Sequence, residues 1–213
     1  MIYFGNPSTE SIRCAMATRD DLGAIITPAQ GNRLRVTDDI STIIDNGCFS
    51  QPDAFTLAKY RKLVANHPNA LFVTVPDVVG DWAATLRRWD EFPKDDWPVP
   101  LAIVLQDGAT VDTVPWDAIG AVFVGGTTEW KLGSEVRSIV AEANHRRVWA
   151  HMGRVNSHQR LRYAEWIGCD SADGTFLVFG PDVNLARLAR WLDEVNSQSA
   201  LFDAALSPTV TSK

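Results

Sequence analysis

No apolar run in the 213-residue chain approaches the roughly 20 residues that cross a bilayer as a helix. The opening Met1-Ile2-Tyr3-Phe4-Gly5-Asn6 has no basic segment leading into an apolar one, so no signal peptide is expected. Cysteine is scarce: Cys14, Cys48 and Cys169 are odd in number, widely spaced and form no C-x-x-C pair. That pattern excludes a disulfide framework and a structural zinc site, and it points to free thiols in a reducing, cytoplasmic compartment. Histidine is also sparse, and neither H-x-H nor H-E-x-x-H occurs, so no metal cofactor is expected. Three further motifs are missing: a G-x-G-x-x-G after the first strand, a phosphate-cradling Walker loop and a G-x-S-x-G elbow. Their absence argues against a dinucleotide fold, a P-loop enzyme and a serine hydrolase. No repeat or low-complexity block appears.

What remains is ordinary globular composition, 46% hydrophobic and 22% charged, enough for one large core. The net charge of −6 runs against a general nucleic-acid binder. Residues 145–162 are the exception, with five arginines (Arg146, Arg147, Arg154, Arg160, Arg162), three histidines and no acid. Such a run is either a solvated helix face or a phosphate-facing patch.

Short apolar runs alternate with amphipathic stretches. Strands are expected at Ile2–Phe4, Ala24–Thr27, Thr42–Asp45, Ala70–Val75, Leu101–Leu105, Ala121–Val124, Val148–His151 and near Cys169–Ala172. Helix signals lie between them. Ser50-Gln51-Pro52-Asp53 resembles a capping box, Asn156 or Ser157 can cap a helix that Gly168 ends, and Asp182 can cap the last helix. The segment Asp107–Asp117 is too short for a full helix. Strand–helix alternation implies parallel strands, and eight units favour a compact single-domain α/β fold, a (β/α)8 TIM-type barrel over residues 1–196 with a tail at 197–213. An open doubly wound sheet is the alternative.

In parallel α/β folds the reactive groups lie just past the carboxyl ends of the strands. There the sequence places Asp45-Asn46-Gly47, Pro76-Asp77, Gln106-Asp107-Gly108, Gly125-Gly126, Met152-Gly153-Arg154 and Asp173-Gly174-Thr175. Singly, each aspartate reads as a turn or cap residue. Together, Asp45, Asp77 and Asp173 should face one rim, where three carboxylates persist only if metal, substrate or chemistry compensates their repulsion; a magnesium site on the aspartates is the metal alternative, without a Walker loop to accompany it. Carboxylate acid–base or covalent chemistry at a sugar carbon fits that set.

The ordered segments Thr42-Ile43-Ile44-Asp45-Asn46-Gly47, Val75-Pro76-Asp77, Val104-Leu105-Gln106-Asp107-Gly108 and Val122-Phe123-Val124-Gly125-Gly126 resemble the tRNA-guanine transglycosylase superfamily. Gly153 and Gly168-Cys169-Asp170-Ser171-Ala172-Asp173-Gly174-Thr175 fit the same pattern. The likeness covers roughly residues 40–176 and is greatest to short phage-type relatives that install 7-deazaguanines in DNA. It implies a barrel that exchanges guanine for a free 7-deazaguanine base. Asp173 would be the nucleophile and Asp45 the proton-transfer residue. Asp77 would read the purine's N–H edge, Gln106 would bond the base, and the backbone of Gly125 and Gly126 would approach its oxygen. Met152 and Gly153 would complete the pocket. An alternative alignment puts the nucleophile at Asp170.

The chain departs from the family at Cys48-Phe49, in the loop Thr127–Lys131, and in lacking the C-terminal zinc-binding cysteine–histidine set. The last departure implies DNA rather than tRNA as the nucleic-acid partner, with Arg154, Arg160 and Arg162 on its phosphates. A hydrolytic DNA glycosylase and a catalytically silent nucleoside-binding barrel are the rival expectations.

Overall fold

The computed structural model describes residues 1–28, 40–48 and 55–206, with side chains through residue 197. The expected capping box at Ser50–Asp53 therefore lies outside the described residues.

Among the described residues, eight parallel strands close into a barrel in chain order: β1 (Ile2–Gly5), β2 (Leu22–Ile26), β3 (Thr42–Ile44), β4 (Val73–Thr74), β5 (Leu101–Leu105), β6 (Ala121–Val124), β7 (Trp149–Met152) and β8 (Ser171–Asp173). β8 pairs with β1 through Ile2–Ser171, Tyr3–Ala172 and Phe4–Asp173. That closure excludes the open doubly wound sheet. Between the strands run α1 (Glu10–Met16), α2 (Leu57–Ala65), α3 (Trp82–Glu91), α4 (Thr128–Lys131), α5 (Ser134–Arg146) and α6 (His158–Trp166), and α7 (Pro181–Leu206) follows β8. Between β5 and β6 the crossover is only two short 3-10 turns, Val111–Thr113 and Trp116–Ala118, as the brevity of that segment implied. No helix among the described residues is long and apolar enough to cross a membrane.

Helix starts follow local chemistry. Thr9, Asp81, Thr127 and Ser157 each accept a hydrogen bond from a backbone N–H of the first turn. Gly168, at φ +93°, terminates α6 in the left-handed region that disfavours side chains. Asp182 lies inside the first turn of α7 instead of capping it, and accepts from Ser11 Oγ at 3.1 Å. α7 continues to Leu206, so the expected boundary at residue 196 falls within a helix.

Period-two alternation divides each strand between two cores. Tyr3, Ile44, Val73, Ile103, Leu105, Val122, Val124, Ala150 and Ala172 pack outward against the helices. Phe4, Ile43, Phe72, Ala102, Val104, Ala121 and Phe123 fill the barrel interior. Gly23 makes room for that filling. A Cβ there would run into the Phe4 ring and lie 2.6 Å from the carbonyl oxygen of Ser41, which is backbone and cannot swing away. Gly23→Ala is therefore expected to destabilise the barrel by about 1–3 kcal/mol, the usual cost of overpacking a filled core. Urea denaturation measures it, and an unchanged midpoint would mean that β2 can shift to absorb the methyl group.

Candidate active site

The strands open onto a cavity of about 330 Å3, within the range of small-molecule sites. Asp45, Asp77 and Asp173 line it together with Gln106, Gly125 and Arg154. Ile25, Val104, Phe123, Val79 and Val178 supply apolar wall, and Asn6, Asn156 and Thr175 supply further polar wall.

The three carboxylates sit in different settings. Asp77 is buried; it accepts from Asn46 Nδ2 at 3.1 Å and from Gln106 Nε2 at 2.7 Å. Burial raises its pKa above the usual carboxylate range, against the pull of those bonds. Asn46 is held in turn by donation to Val75 O and by accepting from the backbone N–H of Cys48. Gln106 Oε1 accepts from the backbone N–H of Gly80 at 2.9 Å, which fixes the amide's orientation. Asp45 is half-buried and accepts weakly, at 3.3 Å, from Gly47 N and Thr74 Oγ1. Burial first, then the fields of Asp173 and Asp77, push its pKa up to about 7.

Asp173 ends β8 and belongs to a chain of bonds through the barrel interior. Trp149 Nε1 donates to Ser171 Oγ at 2.8 Å, and Ser171 Oγ meets His151 Nδ1 at 2.8 Å. With one of its lone pairs used by Trp149, the serine has its proton to give to Nδ1. The ring proton then sits on Nε2, which donates to Asp173 Oδ1 at 3.0 Å. His151 is completely buried, with Phe123, Phe72 and Phe4 rings at centroid distances of 4.5, 5.6 and 6.0 Å. The sequence shows His151 near a strand end but gives no reason to place it in the site. That reason lies in the register: His151 pairs with Ser171 across β7 and β8, so its ring lies beside the side chains at Ser171 and Asp173.

The other expected site residues are placed as follows. Gly125 lines the cavity, and a Cβ on it would stand 2.8 Å from Gln106 Nε2. The amides of Gly125 and Gly126 both donate to Leu105 O at 3.0 Å, so neither is directed at a ligand as the resemblance implied. Gly126 instead makes room for Trp130. Gly153 leaves space for the Phe123 ring and, at 3.2 Å from its missing Cβ, for Asp173 Oδ1. Met152 is buried in the outer, helix-facing layer, because His151 beside it faces inward. Asp170, the alternative nucleophile, stands at the other end of β8 and accepts from Ala150 N at 2.7 Å, away from the cavity.

The arginine run does not form one face. Arg146 and Arg147 precede β7, at the opposite end of the barrel from Arg154, and Arg146 pairs with Glu142 at 2.6 Å and lies over Trp116. Arg162 is exposed and reaches Glu194 at 3.9 Å. Arg154, at φ +59°, turns its guanidinium back to the carbonyls of Gly125 and Gly126. Arg160, half-buried, shares a small cleft with Arg154 and Lys131. Lys131 is buried, a position to which nothing in the sequence points.

No family model and no curated protein matches the chain. Among solved structures it is similar to an enolase family member from Agrobacterium tumefaciens with homology to dipeptide epimerases. Identity is 17% and the TM-score 0.49, over 81% of this chain and 54% of that one, so the chain spans about half the length of that structure. The neighbour belongs to a different enzyme family, which corrects the expected activity. Guanine exchange in DNA, with its hydrolytic and tRNA-directed variants, is withdrawn. At this TM-score nothing of the neighbour's own activity passes to this chain either.

Proposed function

We propose that the chain is an acid–base enzyme acting on a small, donor-rich ring compound, such as a cyclic amide or urea, held at the carboxyl end of the barrel. One observation carries this reading: Asp45 and Asp77, just past the ends of β3 and β4, and Asp173, at the end of β8, line one open cavity. Carboxylates gathered this way repel one another, and a ligand rich in N–H or O–H groups relieves the repulsion. The cavity matches such a ligand in size and in its mix of apolar wall and a few fixed polar groups.

The roles follow from the settings. Asp77, steadied by Asn46 and Gln106, accepts hydrogen bonds from the ligand and orients it. Asp45, with a pKa of about 7, is protonated in a large fraction of molecules at neutral pH and gives its proton to the ligand. Asp173, aimed by His151, takes a proton from the ligand. The two carboxyls thereby exchange protonation states, and solvent at the open mouth restores them. His151 acts through Asp173 and is a positioning residue.

The test is ligand binding by calorimetry against a panel of cyclic amides, cyclic ureas and aminosugars. At least one compound is expected to bind, and Asp77→Asn to weaken it by about tenfold or more, the value of one lost charge-assisted hydrogen bond. Binding by no member of the panel, or equal binding by the Asp77→Asn protein, would contradict the reading.

A further inference from the structure

Beside the main cavity, Lys131, Arg154 and Arg160 line one small cleft with Gly153 and Tyr163. Lys131 lies in α4 and is only 6% exposed. Of the three protons on its ammonium, one is used, in a bond to Gly153 O at 2.7 Å. Among the described residues no carboxylate comes within ion-pair distance of Lys131 or Arg160. A buried ammonium beside two guanidiniums is costly unless a negative charge answers it. The cost registers on the lysine itself: burial, then the field of Arg154, brings its pKa down to about 8, because the fields of the more distant Asp173 and Asp107 offset those two only in part.

We propose that this cleft is an oxyanion subsite, taking one oxygen of a phosphate or carboxylate group. The cleft has room of about 10 Å3, which suits a single oxygen and leaves the rest of the group outside. Lys131 Nζ and the Arg160 guanidinium supply charge-assisted donors, and Ser157, capping α6, puts the start of that helix next to Arg160. Arg154 borders both the cleft and the main cavity. An anion held here would therefore adjoin a ligand in the cavity, and the natural source is a phosphate or carboxylate carried by that ligand. This last step rests on the proposed function; the subsite itself does not.

Inorganic phosphate is the probe, titrated against the whole protein while thermal unfolding is followed, with chloride at matched ionic strength as the control. Phosphate is expected to raise the melting temperature saturably where chloride does not. Lys131→Met and Arg160→Gln should each weaken the effect by about tenfold or more. Arg160 is half-buried and outside the core, so its variant reports even if the Lys131 variant folds poorly. Asp77→Asn should leave phosphate binding unchanged, which separates this subsite from the main cavity. The absence of a saturable effect, or an equal effect in the Arg160→Gln protein, would overturn the subsite. If phosphate binds but a phosphate-bearing cyclic amide binds no more tightly than phosphate alone, the anion source is free phosphate and not the cavity's ligand.

Discussion

Asp45→Asn should make the protein more stable at pH 8 and leave it almost unchanged at pH 4. In the folded chain the Asp45 carboxyl has a pKa of about 7, against an ordinary value of 3.8. Between those values the folded state holds a proton that the unfolded state has released, so stability falls as pH rises from 3.8 to 7. Above that window both states are ionised and the penalty stays at its full size. Converted at about 1.4 kcal/mol for each tenfold change in proton affinity, the penalty is about 4 kcal/mol as an upper bound. An asparagine cannot ionise, and its one oxygen keeps one of the two weak bonds that Gly47 N and Thr74 Oγ1 make to the separate carboxylate oxygens. The gap in unfolding free energy between wild type and variant should therefore open from pH 4 to pH 7 and then level off. A gap independent of pH would mean that Asp45 ionises in the folded chain as it does in solution.

The second large effect is expected at His151. His151→Ala removes a fully buried ring from among Phe4, Phe72 and Phe123, and strands the bonds at Ser171 and Asp173. Loss of a large buried ring costs about 3–5 kcal/mol. For a chain of this size that corresponds to a fall in melting temperature of about 10 °C. His151→Phe separates packing from hydrogen bonding. It refills the space and should recover most of the loss, retaining a deficit of about 1–3 kcal/mol for the unmet polar groups. In that variant Asp173 loses its fixed orientation, so turnover should fall even where stability has been restored. Equal stability of the alanine and phenylalanine variants would mean that the interior does not close around this ring.

The barrel was legible in the sequence because its strands are short apolar runs with turn chemistry between them. Leu101–Leu105 and Ala121–Val124 match the expected bounds fully, while β4 narrows to Val73–Thr74 within the expected Ala70–Val75. The rim was legible for the same reason: residues just past such runs must lie at one end of a parallel barrel, which brought Asp45, Asp77, Gln106 and Asp173 together. What escaped was whatever depends on the direction of a side chain or the register between strands. Met152 was expected in the pocket, yet alternation turns it outward once His151 faces in. Asp170 and Asp173 are three residues apart in sequence and at opposite ends of β8 in space. The arginine-rich run looks continuous in one dimension, but β7 passes through it and sends its two halves to opposite ends of the barrel. Lys131 gives no signal at all, because its burial is set by the packing of α4 beside Gly153.

The most direct test of the acid–base assignment is a titration of the aspartate carboxyl carbons by 13C NMR, with Asp45 assigned through the Asp45→Asn protein. The expected result is an Asp45 midpoint of about 7, displaced downward in the Asp173→Asn protein as the field of that neighbour is removed. An Asp45 midpoint at the ordinary 3.8, unmoved by substitution of Asp173, would contradict the assignment.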